Sequence, residues 1–159
     1  MALLSVAHEE GAVVLAVTFD LQNYESPYVA GEEQWLRYVI SISMNGKVLA
    51  KRSGTILEGV AGSLAKELLA ITQSSADAEF EYEPLEPDFI LKASRDQYDG
   101  IVLSWSLDVD AAASGGIYSG NMVGIRMLCP PDRLVAFAEE VLAEERRICG
   151  TIPEQPSRG

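Results

Sequence analysis

The chain reads as an α+β protein of about six to seven antiparallel β-strands in two related halves, each half followed by one α-helix. Three observations predict this. Apolar and polar residues alternate over 13–21, 35–44 and 101–109, the period of two that marks a half-buried strand. Over 57–71 and 134–142 the apolar residues instead recur at helical spacing. The dipeptides Asn45–Gly46 and Asp99–Gly100 are tight-turn signals, far shorter than the crossover of a dozen or more residues that parallel neighbours require.

Taken in order, residues 1–12 precede the first predicted strand and leave His8 in a poorly ordered position. They carry no basic leader and are interrupted by His8, Glu9 and Glu10, so neither a signal peptide nor a membrane span is expected. Val13, Leu15, Val17, Phe19 and Leu21 then share one face of a strand. Residues 22–34 hold Asn, Ser, Pro, Gly and three glutamates without periodicity, which predicts a surface loop closed by Trp35. Leu36, Tyr38, Ile40, Ile42 and Met44 form one face of the next strand, with Arg37, Ser41 and Ser43 on the other. A third strand near 47–53 carries Lys47, Lys51 and Arg52, residues suited to a sheet edge. Leu57, Ala61, Leu64, Leu68 and Ile71 predict the first helix, with Thr55 and Glu58 spaced as a capping box. Gly59 and Gly62 each cost about 1 kcal/mol relative to Ala in a helix interior, which predicts a loose first turn or a later start.

The second half repeats the element order but not the residues. Phe80 and Tyr82 alternate with Glu79, Glu81 and Glu83, residues 89–94 read as a strand, and Ile101, Leu103, Trp105, Leu107 and Val109 define one face of another. A small-residue loop over 110–120 leads to a last strand at 122–128. Pro131 suits the first helical position, Leu134, Phe137, Ala138, Val141 and Leu142 supply the buried stripe, and Arg146 and Arg147 favour the negative end of the helix dipole. Residues 1–150 are therefore expected to form a single domain, and 151–159 a disordered tail.

Charge narrows the partners. Twelve Lys and Arg against twenty-four Asp and Glu leave a net charge of −12 and a pI near 4.4. Duplex nucleic acid and anionic membranes are repelled at long range, whereas a basic protein is steered in. The same acidity also serves solubility, so charge supports a basic partner without establishing one. Cys129 and Cys149 are separated by a predicted helix of about 25 Å at 1.5 Å per residue, beyond the about 7 Å that a disulfide spans. Reduced thiols fit the cytoplasm.

No catalytic constellation stands out. His8 is the only histidine, and it sits beside Glu9 and Glu10 with no nucleophile at a recognisable spacing. Two cysteines and one remote histidine do not make a zinc site, and Gly115, Gly116 and Gly120 lack phosphate-loop spacing. Asp108 and Asp110, and the acids of the proline segment, could bind a cation but match no calcium-loop pattern and read more simply as solvated surface. Trp35 and Trp105 are expected in the core, ahead of a role as a stacking platform for sugar or base. No catalytic, cofactor or metal residue is assigned.

The segment FEYEPLEPDFILKAS, residues 80–94, is the most distinctive part of the chain. With the Trp35–Leu36 entry to a strand ending in Asn45–Gly46, the leucine-rich first helix and the terminal helix bearing Phe137, it resembles the WapI-type immunity proteins over about residues 13–147. Those are small bacterial antitoxins, so the resemblance implies one-to-one masking of a toxin. It carries no reaction, cofactor or contact residue with it. The residues themselves nominate Glu81, Glu83, Glu86 and Asp88 for contact with a basic toxin, because Pro84 and Pro87 hold the acids in a preorganised segment. A small-ligand or housekeeping module with a pocket between sheet and helices is the alternative.

Overall fold

A computed structural model of the chain describes residues 1–84, 88–109 and 121–150. The predicted loop at 110–120, with Asp110, and the predicted tail at 151–159 lie outside the described residues, as does Glu86. Among the described residues eight strands and two α-helices follow the predicted α+β order, one strand more than the upper count expected. Strands β1 (Ala2–His8), β2 (Val13–Tyr24), β3 (Trp35–Met44) and β4 (Lys47–Leu57) form one antiparallel sheet in sequence order, followed by α1 (Val60–Thr72). Strands β5 (Glu79–Tyr82), β6 (Phe89–Arg95), β7 (Ile101–Asp108) and β8 (Met122–Cys129) form the second, followed by α2 (Pro131–Cys149). No helix among the described residues is long and apolar enough to cross a membrane.

The additional strand is β1, and it corrects the reading of the N-terminus. Ala2, Leu4 and Val6 are buried in alternation, and β1 pairs with β2 from Ala2 opposite Phe19 to His8 opposite Val13. His8 is thus the last residue of a paired strand rather than part of a loose end. The interruption at Glu9 and Glu10 is the turn itself: both residues have positive φ, and Gly11 follows at φ 92°. The β3–β4 hairpin is tight as predicted. Asn45 and Gly46 both have positive φ, the requirement of the turn that matches strand twist. The Asn45 amide also links to the neighbouring hairpin, its Oδ1 accepting from the Val14 N–H at 2.7 Å.

A second correction concerns the start of α1. Strand β4 runs on through Thr55 to Leu57, so the residue expected to cap the helix is paired opposite Arg37 in the sheet. Gly59 takes the N-cap position with φ 88°, a conformation only glycine adopts without strain. The cap comes from the other helix, because the Glu145 carboxylate of α2 accepts the Gly59 N–H at 3.0 Å. Gly62 leaves the space over that first turn which the same carboxylate occupies. Two neighbours of Glu145 work alike: Glu140 accepts from the Leu3 N–H at 3.1 Å and Glu144 from the Leu21 N–H at 3.2 Å. The helix therefore satisfies backbone donors of β1, β2 and α1 that would otherwise lack partners.

The inner faces of both sheets and both helices share one core. Leu36, Tyr38, Ile40, Leu103, Trp105 and Leu107 are all buried, as their alternation requires. Phe89 lies at the centre of an aromatic series, 6.2 Å from Phe19 and 5.6 Å from Tyr38 of the first sheet, and 5.9 Å from Trp105 of the second. Trp105 meets Phe137 of α2 edge-on at 6.1 Å. Such pairs add about 0.5–1.5 kcal/mol each beyond area burial, so this line of rings ties both sheets to the last helix.

Candidate partner-binding cleft

Where the two sheets part at one end, a cleft of about 470 Å³ opens between β3 and β4 on one side and the Tyr82–Pro84 end of β5 on the other. Trp35, Leu57, Tyr82 and Pro84 line it together with the buried Tyr38 and Phe89 and the half-buried Asp88. The sequence logic is local. Tyr82 and Phe89 flank the proline segment, and their rings lie 5.2 Å apart, so the chain that leaves β5 returns to β6 against its own aromatic contact.

Asp88 is the polar centre of the cleft. The Tyr38 hydroxyl donates to its Oδ2 at 2.8 Å, and the Arg52 guanidinium forms an ion pair and hydrogen bond with its Oδ1. Its carbonyl accepts the Asp108 N–H at 3.0 Å, which fixes the start of β6 to the end of β7. Burial and the neighbouring Asp88 carboxylate push the Tyr38 hydroxyl far above its ordinary pKa, so it remains a donor. Burial raises Tyr82 in the same way. Gly54 is required here, since a Cβ would sit 2.5 Å from Asp88 Oδ2 and 2.6 Å from the Tyr38 oxygen. Arg52 reaches Asp88 from a second hollow on the far side, which Lys51, Gly54 and Asp108 also line.

The four nominated acids therefore do not form one patch. Asp88 points into the seam between the sheets and is committed to Arg52 and Tyr38. Glu81 is exposed on β5 and pairs with Lys92 of β6 at 2.9 Å, and that hydrogen bond holds its carboxyl below the usual range. Glu83 is exposed next to Glu81 and Lys92, and Glu86 lies outside the described residues.

Trp35 departs from its expected place in the core. It is 42% exposed and forms the ridge between the cleft and a smaller hollow lined by Glu25, Glu32, Glu33 and Gln34. Two neighbours in the preceding loop, Tyr28 and Val29, are also exposed. That loop is pinned at its neck: the Glu25 N–H donates to the Trp35 carbonyl at 2.8 Å. The nearly buried Gln34 amide donates to the Val29 and Glu32 carbonyls at 2.9 and 3.1 Å. Among the described residues Glu25, Glu32 and Glu33 form no ion pair. The alternation of β3 already carries the exposure of Trp35, which shares its face with Arg37 and lies opposite the buried Leu36 and Tyr38, whereas the placement of the preceding loop has no period to announce it.

The remaining chemical candidates are dispersed. Among the described residues no group of three His, Cys, Asp or Glu side chains is placed to hold a metal. Cys129 and Cys149 are free thiols, both pushed up by burial, to about 12 and about 11. Trp105 is buried, as expected, and Asp108 is buried at the end of β7.

The chain matches no protein-family model and no curated protein. Among solved structures it is similar to the plant transcriptional regulator PBF-2, with 12% sequence identity and a TM-score of 0.44, covering 94% of this chain and 91% of that one. A likeness that distant carries no argument about function.

Proposed function

We propose that this chain is a binding protein that masks a basic protein one-to-one, the role implied by its resemblance to WapI-type immunity proteins. The supporting observation is the hollow that exposed Trp35 lines with Glu25, Glu32 and Glu33, in a loop that also exposes Tyr28 and Val29. Exposed aromatic anchors supply most of the energy at protein interfaces, and like charge around them raises the association rate with a partner of opposite sign. A pinned loop loses little conformational freedom on docking. The net charge of −12 extends the same steering over the whole molecule.

The test is to coexpress the chain with any basic toxin domain found encoded next to it, read as growth rescue and as complex mass by light scattering. A 1:1 complex whose association slows steeply with salt is expected. Absence of any complex with a neighbouring basic protein would sink the proposal. A small-ligand module remains the second reading because the cleft falls within the about 300–1,000 Å³ of ligand pockets. It would show instead as thermal stabilisation by a metabolite with no protein partner.

A further inference from the structure

We infer that the protein pairs with a second copy of itself through the corner between the β1–β2 hairpin and β8, about a two-fold axis near Leu128 that sets Arg126 of each copy against Asp96 of the other. This goes beyond the masking function and does not depend on it.

The inner face of the first sheet runs out of cover at its hairpin end. Val13 and Leu15 continue the face of β2 that buries Val17, Phe19 and Leu21, and Met44 continues the face of β3 that buries Ile40 and Ile42. Yet Val13 and Leu15 are only half-buried, and Met44, which pairs with Leu15, is 42% exposed. Val13 and Leu15 line a hollow of about 690 Å³ with the exposed Tyr98 and Leu128. The segments that supply its walls, 8–15, 96–102 and 126–128, lie wholly within the described residues. The inner face of an antiparallel sheet is ordinarily packed, and a contiguous exposed apolar patch with a charged rim marks an interaction site.

The rim selects a second copy. Arg126, Asp96 and Glu9 border the hollow, and none of them forms an ion pair among the described residues. A basic partner would be met by Arg126, and an acidic one by Glu9 and Asp96. A partner with both signs in the inverse order meets neither obstacle, and a two-fold copy has that order by symmetry. The strand register supplies it. Leu128 lies opposite Val102, and Arg126 lies two residues back along β8, opposite Ser104. Asp96 follows Arg95, whose row through Ile101 to Cys129 is on the other side of Leu128. Cation and acid thus flank Leu128 in the strand direction, so a two-fold axis there makes two Arg126–Asp96 pairs. Trp35 takes no part, because it and Met44 are the two ends of β3, about 30 Å apart at about 3.3 Å per residue. Each copy keeps its own Trp35 face, and masking stays one toxin per chain.

Sedimentation equilibrium of the intact protein reads the association at physiological ionic strength, where repulsion between two chains of −12 is screened beyond about 8 Å. A reversible monomer–dimer equilibrium is expected. Arg126→Glu and Asp96→Lys should each weaken the dimer about tenfold, and the two together, which leave the net charge unchanged, should restore it because the swapped charges still meet across the axis. Asp96 also accepts the Tyr98 N–H at 3.2 Å, so urea unfolding is measured on every variant, and a loosened turn would not produce rescue in the double one. Leu128→Asp should leave a folded monomer, and Trp35→Ala should dimerise as wild type does. A wild-type monomer at every concentration overturns the inference, as does a dimer that survives Leu128→Asp or is lost with Trp35→Ala. Charge variants that weaken the dimer singly without rescue in combination overturn the two-fold pairing.

Discussion

The acids of α2 and the acids around Trp35 are the same residue type put to opposite use. Glu140, Glu144 and Glu145 each accept a backbone N–H from a different element, Leu3, Leu21 and Gly59, so their charge is spent on holding β1, β2 and α1 to the last helix. Glu25, Glu32 and Glu33 form no ion pair among the described residues and surround an exposed tryptophan. The net charge of −12 is therefore not a uniform coat. One share stabilises the fold and should be insensitive to partners, and another is available for binding and should be nearly irrelevant to stability. Asp88 bridges the two classes, since it lies in the cleft yet is engaged by Tyr38 and Arg52.

Asp88 provides the strongest way to break this division. Replacing it by Ala leaves the Arg52 guanidinium, whose side chain is 10% exposed, without its counter-charge. Losing one partner of a buried pair costs about 3–5 kcal/mol, and the 28% exposure of the Asp88 side chain places the expected loss near the lower end, about 3 kcal/mol. Urea denaturation measures it, and a loss under about 1 kcal/mol would move Asp88 into the uncommitted class.

Alkaline pH probes the same centre through Tyr38. Its folded pKa is raised above the unfolded value near 10, by burial first and by Asp88 second. A raised folded pKa contributes stability that is fully present below the unfolded value and is lost as pH rises toward the folded one. Stability should thus fall above about pH 10, by up to about 1.4 kcal/mol per pH unit for the buried Tyr38 and by less for more exposed tyrosines. Burial raises Tyr24 and Tyr82 as well, so Tyr38→Phe should make the alkaline slope shallower without abolishing it. An unchanged slope in stability against pH would show that Tyr38 is not held protonated by this environment.

On the α2 side, Glu145→Ala removes the acceptor for the Gly59 N–H and should cost about 1 kcal/mol, the ordinary value of a lost N-cap. Adding Gly62→Ala to it should recover much of that loss. Alanine is favoured over glycine by about 1 kcal/mol within a helix, and the carboxylate it would displace is already gone. If the double variant is no more stable than the single one, Gly62 is needed for a reason other than room for Glu145.

Strands and helices with a sustained period were legible in the sequence, and contacts between elements were not. Leu36, Tyr38, Ile40 and Ile42 announce β3 because sheet burial repeats every second residue, and Leu134, Phe137, Ala138 and Val141 announce α2 for the corresponding helical reason. Strand β1 was not legible because Glu9 to Gly11, which turn the chain back, read as a polar interruption of residues 1–12 rather than as a hairpin turn. Thr55 and Glu58 were spaced as a capping box, but pairing with β3 continued past them and a carboxylate 86 residues away took the role. The same limit applies to the cleft. The proline segment and Trp35 were each visible as unusual, but that Pro84 and Trp35 line one cleft depends on how the two sheets meet. Nothing local indicates that Asp88 turns inward to Arg52 whereas Glu83 stays outside.

The smallest expected effect on stability is the most informative about function. Reversing Glu32 and Glu33 to Lys should change the unfolding free energy by no more than about 0.5 kcal/mol, because both are exposed and form no ion pair among the described residues. The same reversal changes the local charge by four units beside Trp35. Steering acts mainly on the association rate and is screened beyond about 8 Å at physiological ionic strength, so association with a basic partner should slow markedly at low salt and converge with wild type at high salt. Dissociation should change little, since rim charges contribute less to residence than the aromatic anchors do. Stopped-flow association at several salt concentrations, set beside denaturation of the same variant, separates these effects. A variant that unfolds more easily but associates normally would show that the acids around Trp35 belong with those of α2, as parts of the fold.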